Sequence, residues 1–230
     1  MEKTWYLKRI NIFQGMSEAE MKQLDGITHM KHYDKKSLIY LPGDVSDQVY
    51  LLKEGRVKIS KISEDGREIT LVILEPGEIF GESSIVSNDQ TRSSVAEALE
   101  NAYLCIISRR DFEEFIHKKP ELALSITKLM GFRRRQIETM LEDLVFRGVH
   151  ERIALLLLRL ADRHGKVVGD KKLIDISLTH YDYANLIGST RETTTACLND
   201  FKREGLIEFQ KRKVVILNER GLKERAKYED

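Results

Sequence analysis

Arg191 and Glu192 carry side chains suited to reading a base pair, and they open a segment with helical periodicity. A guanidinium can donate to guanine O6 and N7 together, and a carboxylate can accept from cytosine N4. Such a pair is also typical of a solvated helix start, where the helix dipole favours a carboxylate. The residues expected to contact nucleic acid are Thr179, Ser189, Thr190, Arg191, Glu192, Thr194, Thr195, Lys202 and Lys211.

The elements around this pair decide between the two interpretations. Helical patterns over residues 180–187 and 191–204 flank Gly188, and two apolar runs then flank a basic tip at 210–213. Residues suited to cap these helices are Thr179, Ser189, Thr190 and Gly205. This order predicts a winged helix-turn-helix, whose second helix enters the major groove of duplex DNA.

A second group of residues could bind an anion. The stretch 76–84 contains Gly77 and Gly81, and glycines allow a close approach of the backbone to a ligand. The residues expected to bind an effector are Gly81, Glu82, Ser83, Arg92 and Ser93. Arg92 and Ser93 could complete a phosphate cradle, while Glu82 could accept from a sugar hydroxyl. The alternative is two barrel turns with a buried Arg–Glu ion pair.

Residues 38–108 supply the frame for this second group. Short apolar runs broken by glycines alternate there with the rhythm of strands and turns, which predicts an antiparallel barrel or sandwich. From Pro120 the period becomes helical, and an apolar stripe interrupted by Arg133 continues to Leu144. A helix of this kind favours a dimer seam, with packing against the barrel as the alternative. The residues expected in the seam are Ile126, Met130, Ile137, Leu141 and Leu144.

The bulk composition sets limits on the class of protein. The chain has 230 residues, 33% charged and 41% hydrophobic, which is typical of a soluble globular protein with two domains. The net charge of +1 is unevenly distributed along the chain. Residues 1–146 contain 21 basic and 24 acidic residues, whereas residues 147–230 contain 17 basic and 13 acidic residues. We expect no signal peptide or membrane helix and a cytoplasmic protein. Two cysteines, Cys105 and Cys197, argue against a disulfide framework.

Three segments together resemble the family of the cyclic-AMP receptor protein and the fumarate-nitrate reduction regulator, over nearly the whole chain. They are residues 77–82 with Arg92 and Ser93, residues 143–154, and residues 187–193. The resemblance implies an α+β fold with a β-roll of the cyclic-nucleotide-binding type over 1–119. It further implies a dimerisation helix over 120–146, a winged helix-turn-helix over 147–220 and a tail over 221–230.

The resemblance also implies a function and its partners. Members of the family bind palindromic DNA as homodimers, and activators contact RNA polymerase. In the cyclic-AMP receptor, the residues that match Gly81, Glu82, Arg92 and Ser93 hold the ribose and phosphate of the nucleotide. We therefore expect a regulator controlled by a small anionic effector, with cyclic AMP as the leading candidate. No catalytic nucleophile with a base and no metal-ligand cluster emerges, so we expect no enzyme.

The sequence departs from the family at several positions. Ile137 and Glu138 stand where cyclic-AMP binders have a Thr-Ser pair for the adenine, and Ala196 replaces an Arg of the recognition helix. The cysteines of iron-sulfur members are missing, and neither a cluster nor haem is expected. Residues 187–191 are also similar to cyanobacterial nitrogen regulators, so 2-oxoglutarate, another ligand or none remain alternatives. A different class, a regulatory subunit that acts through protein contacts, is less compatible with the basic hairpin.

Overall fold

A computed structural model describes residues 13, 16–86, 90–169 and 171–227 of the chain, without the side chains of Ser84 and Val86. Contacts divide it into two compact units, residues 1–134 and 135–230. The four-segment division predicted above remains a prediction. None of the described helices is long and apolar enough to cross a membrane.

The first unit has the β-rich architecture expected for its part of the chain. Its elements are α1 (Glu18–Gly26), β1 (Thr28–Tyr33), β2 (Leu38–Tyr40), β3 (Gln48–Glu54), β4 (Val57–Ile62), β5 (Glu68–Leu74), β6 (Ile79–Phe80), α2 (Ser83–Val86), β7 (Val95–Ala98), β8 (Ala102–Ser108) and α3 (Arg109–His117). The strands form two four-stranded antiparallel sheets, in the orders β1-β8-β3-β6 and β2-β7-β4-β5.

Two apolar clusters hold these sheets together. Alternate residues of β3 point to opposite sides, so Val49 and Leu51 join one cluster while Tyr50 and Leu52 join the other. The second cluster also contains Phe80, whose ring stacks on that of Tyr50 with centroids 4.9 Å apart. Both clusters therefore meet at β3 and β6, next to the glycine-containing turn that follows Phe80.

Helix α4 (Pro120–Phe146) is the long helix that the apolar stripe predicts. At its start, Leu122 and Ile126 are buried in the cluster that contains Val49, with Leu129 and Met130 packed against that cluster. Intramolecular packing, the alternative to a dimer seam, therefore holds for Ile126 and Met130. Burial of apolar surface fixes this part of α4 on the β-rich unit.

The second unit contains the predicted helix-turn-helix and hairpin. Its elements after α4 are α5 (Val149–His164), β9 (Gly165–Val168), β10 (Lys171–Ile174), α6 (His180–Ile187), α7 (Arg191–Arg203), β11 (Ile207–Gln210), β12 (Lys213–Ile216) and α8 (Glu219–Ala226). The strands make one antiparallel sheet in the order β11-β12-β10-β9.

Two features of this unit differ from what its local sequence patterns predict. The pattern over 175–178 predicts a strand, but the strand is β10, which ends at Ile174, because its register pairs Lys172 with Ile216. The segment from Leu222 is expected to be a frayed helix, but Leu222 and Ala226 are fully buried on one side of α8. Their spacing of four residues gives the helix an apolar face that packs inward. Residues 228–230 lie outside the described part.

Candidate effector site and nucleic-acid interface

Gly81 gives the first candidate site its backbone shape. Its φ of +80° lies in the left-handed region, which favours glycine. A Cβ at this position would lie 2.9 Å from the Gln48 carbonyl oxygen and 3.1 Å from the Tyr50 ring. A larger residue would therefore displace the turn. The carbonyl of Gly81 in turn accepts a hydrogen bond of 3.0 Å from Nη1 of Arg92.

Arg92 is a buried cation at the centre of this site, with only 5% of its surface exposed. Its second guanidinium nitrogen, Nη2, donates to the Gln48 carbonyl. The guanidinium carbon lies 4.7 Å from the Tyr40 ring centre, a cation–π distance. Its Nε is buried and has no hydrogen-bond partner within the described part of the chain. No carboxylate there pairs with it, because Glu82 binds a different arginine.

Glu82 is 4% exposed and forms its ion pair with Arg133 of α4. Arg133 also donates to the carbonyl of Ile79, so one side chain holds both the carboxylate and the backbone beside it. A buried carboxylate requires such a partner, since an unpaired charge in a protein interior is costly. A buried Arg–Glu pair, the alternative to an effector site, therefore exists, but it joins Glu82 to Arg133 and not to Arg92.

Ser83 and Ser93 lie beside these buried groups but are exposed. Ser83 begins α2, and the Ser93 carbonyl accepts a hydrogen bond of 2.6 Å from Nζ of Lys61. Tyr40 lies next to these residues and forms a hydrogen bond with Ser94. Burial raises the pKa of Tyr40 in spite of this hydrogen bond. The structure thus brings the five expected effector residues into one region, with two of them at its surface.

The local charge of the site follows from these contacts. Arg133 and Glu82 neutralise each other, and Arg92 contributes one positive charge that no described carboxylate balances. A buried guanidinium of this kind is most stable with an anion beside it. The arrangement fits a ligand with a single negative charge and a hydroxyl within reach of Glu82.

The second candidate site is built by helix caps. Thr179 forms a capping box with Asp182 at the start of α6. Gly188 ends that helix with φ +59° and ψ +50°, the left-handed geometry of a helix C-terminus. Thr190 then caps α7, accepting from the Thr193 amide at 3.2 Å. These caps fix the turn between the two helices.

Several of the residues expected to contact DNA have exposed side chains in this unit. Arg191 and Glu192 are exposed at the first turn of α7, and Lys202 is exposed at its last turn. Lys211 is exposed at the hairpin turn, with a φ of +60°. The expectation for Thr194 is wrong. Its side chain is fully buried on the inner face of α7 and has no surface to offer DNA.

Sequence comparison decides the family of the chain. Residues 30–119 match the model of the cyclic nucleotide-binding domain, and residues 151–225 match that of the Crp-like helix-turn-helix domain. A "CRP-like cAMP-activated global transcriptional regulator" of Mycobacterium tuberculosis is 30% identical over 221 residues, covering 96% of this chain and 98% of the relative. The chain belongs to the CRP/FNR family of transcription regulators.

Other members of the CRP/FNR family extend the comparison. A "Global nitrogen regulator" of Synechocystis is 33% identical over 187 residues, which cover 81% of this chain and 83% of that relative. A solved structure of a CooA variant from Carboxydothermus hydrogenoformans has a TM-score of 0.75 and 28% identity, covering 93% of this chain and 92% of that one. The Mycobacterium tuberculosis and Synechocystis relatives are regulators by name and not enzymes, as expected. Neither name supports a regulatory subunit that acts through protein contacts.

Two residues that contribute to the sites of this CRP/FNR protein, Arg133 and His180, were not predicted from the sequence. Arg133 appears in the sequence as an interruption of the apolar stripe, and that polar break was the signal for an inward contact. His180 opens α6, where its Nδ1 lies 2.9 Å from Oγ1 of Thr195. A lone histidine in a helix gives no comparable signal, because its partner comes from another helix.

The second half of α4 differs from the half that packs on the β-rich unit. Ile137 is 46% exposed and Leu141 is 60% exposed, while Val145 is 64% exposed. Leu144 is partly buried and lines a small cavity together with Arg152. The five residues expected in a dimer seam therefore separate into an inward group and an outward group, and Ile137 and Leu141 are the outward ones.

Replacing Arg133 by methionine should destabilise the protein by about 3 kcal/mol, because it leaves the buried Glu82 carboxylate without its ion pair. The double variant Arg133→Met with Glu82→Gln should recover more than half of this loss, since no charge then remains to be paired. Urea unfolding followed by circular dichroism measures both changes. Arg135→Met, at an exposed position of the same helix, is the matched control. Equal losses in the single and double variants would contradict a stabilising ion pair.

Proposed function

We propose that the protein is a cytoplasmic homodimer that binds palindromic duplex DNA through α7, under the control of a singly charged anionic effector. The observation that supports control by an anionic effector is the buried guanidinium of Arg92, which has no carboxylate partner among the described residues. The DNA half is supported by the exposed Arg191 and Glu192 at the capped start of α7. RNA polymerase would be a further partner if the protein is an activator.

Charge favours a cyclic nucleotide as the effector. Its phosphodiester carries one negative charge, which matches the one unbalanced positive charge of Arg92. Its ribose also offers a hydroxyl that can donate to an oxygen of Glu82. 2-Oxoglutarate carries two carboxylates, and Arg92 would balance only one of them. The name of the Mycobacterium tuberculosis relative, which describes it as cAMP-activated, agrees with this preference.

Arg133 provides a route from the effector to α4. It bonds both Glu82 and the Ile79 carbonyl, so a ligand that engages Glu82 changes what Arg133 can hold. The two ends of this route would be linked by a coupling free energy of about 1 to 3 kcal/mol, the usual range for allosteric proteins. Ile137 and Glu138 stand in place of the Thr-Ser pair of cyclic-AMP binders, so recognition of the base would differ from theirs.

The DNA contacts divide by type. Arg191 and Glu192 would read base edges, while Ser189, Thr190 and the two lysines Lys202 and Lys211 would contact phosphates. Thr195 lies one helical turn after Arg191 on the same face of α7. Thr179 acts mainly through the capping box that positions α6. Ala196 is exposed where the family places an arginine, so the preferred operator should differ from that of the cyclic-AMP receptor.

Dimerisation is supported by the outward side of α4. Ile137, Leu141 and Val145 recur at spacings of four and expose apolar surface in succession. Such a stripe on a long helix is the usual seam of a parallel or antiparallel helix pair. A two-fold axis through this seam would place two recognition helices against a palindromic site.

Replacing Arg191 by alanine should weaken binding to a selected duplex by about tenfold to a hundredfold and relax the preference at one base pair, since a bidentate contact contributes about 1 to 3 kcal/mol. Fluorescence anisotropy on duplexes selected from random DNA measures both effects. Arg220→Ala, at a side chain that is 91% exposed on α8, is the control. Undiminished binding by Arg191→Ala on every duplex would contradict base reading by α7.

Isothermal titration calorimetry with cyclic AMP, cyclic GMP and 2-oxoglutarate tests the effector. We expect a cyclic nucleotide to bind. The variant Arg92→Gln should show no heat of binding, because it lacks the positive charge that balances the anion. Arg67→Gln, at a side chain that is 85% exposed, should bind normally. If only 2-oxoglutarate binds, the charge argument is contradicted. If none of the three ligands binds while the protein still binds DNA, the site has a structural role and does not bind an effector.

Leu141→Glu should shift the protein from dimer to monomer, because it places a charge in the proposed apolar seam. Sedimentation equilibrium at micromolar concentration measures the shift. Thr139→Glu, at an exposed position two residues earlier and off the apolar stripe, is the control. A Leu141→Glu variant that remains dimeric would move the interface elsewhere.

A further inference from the structure

His180 lies where three elements of the DNA-binding unit meet. It is the first residue of α6, its Nδ1 lies 2.9 Å from Oγ1 of Thr195 on α7, and its ring centre is 5.6 Å from that of Phe209 on β11. The helix before the turn, the recognition helix and the wing therefore all contact one imidazole. The ring is half-buried, so it is still open to solvent on one side.

The surroundings of His180 disfavour its charged form in the free protein. Burial and the positive charge of Arg191 lower its pKa. No carboxylate is among the described groups that shift the pKa of His180. Phe209 is apolar, and the Asp182 carboxylate on the same helix accepts from the Thr179 hydroxyl at 2.6 Å. Nε2 of His180 has no hydrogen bond to any residue that the structure describes.

Bound DNA would bring negative charge that opposes these influences. Thr195 follows Arg191 by four residues, so the imidazole bonded to Thr195 lies on the face of α7 that carries Arg191. Phosphates next to this face bring negative charge close to His180 and offset the field of the neighbouring Arg191. A negative neighbour favours the imidazolium form.

We propose that His180 takes up a proton when the protein binds DNA and, in the protonated form, positions the Thr195 hydroxyl for its contact. The proposal rests on the proposed DNA binding by α7. In the imidazolium, Nδ1–H donates to Oγ1 of Thr195, so the hydroxyl proton is free to donate to DNA. Nε2–H can donate to a phosphate oxygen as a charge-assisted bond. His180 is thus a positioning residue whose protonation state depends on DNA.

The sign of the pH dependence follows from linkage. The pKa of His180 is lowered in the free protein and raised in the complex, so the complex binds more protons between these two values. Affinity for DNA should be flat above the pKa in the complex, rise as pH falls through it, and flatten again below the pKa in the free protein. Uptake of one proton limits the slope to about tenfold per pH unit.

Fluorescence anisotropy with a selected duplex, between about pH 8 and about pH 6 at constant ionic strength, tests the proposal. We expect the unmodified protein to bind about threefold to tenfold more tightly at the lower pH. His180→Asn should keep most of the affinity at the higher pH, because its amide can still bond Thr195, but should lose the pH dependence. His180→Ala should lose both.

Two further histidine variants identify the titrating group. His29→Gln alters a histidine on β1 of the other unit and should keep the full pH dependence. His150→Gln alters the histidine that lies 3.4 Å from Asp200 of α7 and should also keep it. A slope that survives in His180→Asn, or that vanishes in His150→Gln, overturns the proposal. Absence of DNA binding at every pH would instead contradict the proposed function.

Discussion

The ion pair between Arg133 and Glu82 is the contact on which the first unit depends. It joins the long helix to the turn after β6, and the same guanidinium holds the Ile79 carbonyl. Because it neutralises Glu82, it also decides the charge that remains at Arg92. A buried ion pair adds little net stability compared with an apolar contact, but breaking it is costly. Its value here lies in the specific geometry that it imposes on the glycine turn.

The DNA-binding unit follows a different rule, in which the backbone caps come first. Thr179, Gly188 and Thr190 satisfy the free ends of α6 and α7 and set the path between them. Arg191 and Glu192 are exposed because they lie in the first turn of α7, and no buried partner is needed to hold them there. The exposed residues of α7 can therefore change with little effect on the fold, and Ala196 is an example of such a position.

The parts that the sequence predicted were those set by local spacing. Helix caps, the glycine turn and the length of α4 follow from residues that are neighbours along the chain. The parts that it missed depend on distant partners. Glu82 and Arg133 are 51 residues apart, and nothing near either residue selects the other over Arg92. The burial of Thr194 and of Ile126 could not be predicted for the same reason, since periodicity marks the faces of a helix without saying what covers each one.

Asp143 gives the end of α4 a mechanical role. It is 9% exposed, and its two oxygens bind Nε of Arg147 at 3.1 Å and Nη1 of Arg159 on α5 at 2.6 Å. The last turn of α4 is thus fastened across Gly148 to the first helix of the unit that carries α7. A rotation of the end of α4 would be passed on to α5 through Asp143 and Arg159, and the backbone at Gly148 would not take it up. The end of α4 and the start of α5 would therefore move together, although a glycine joins them.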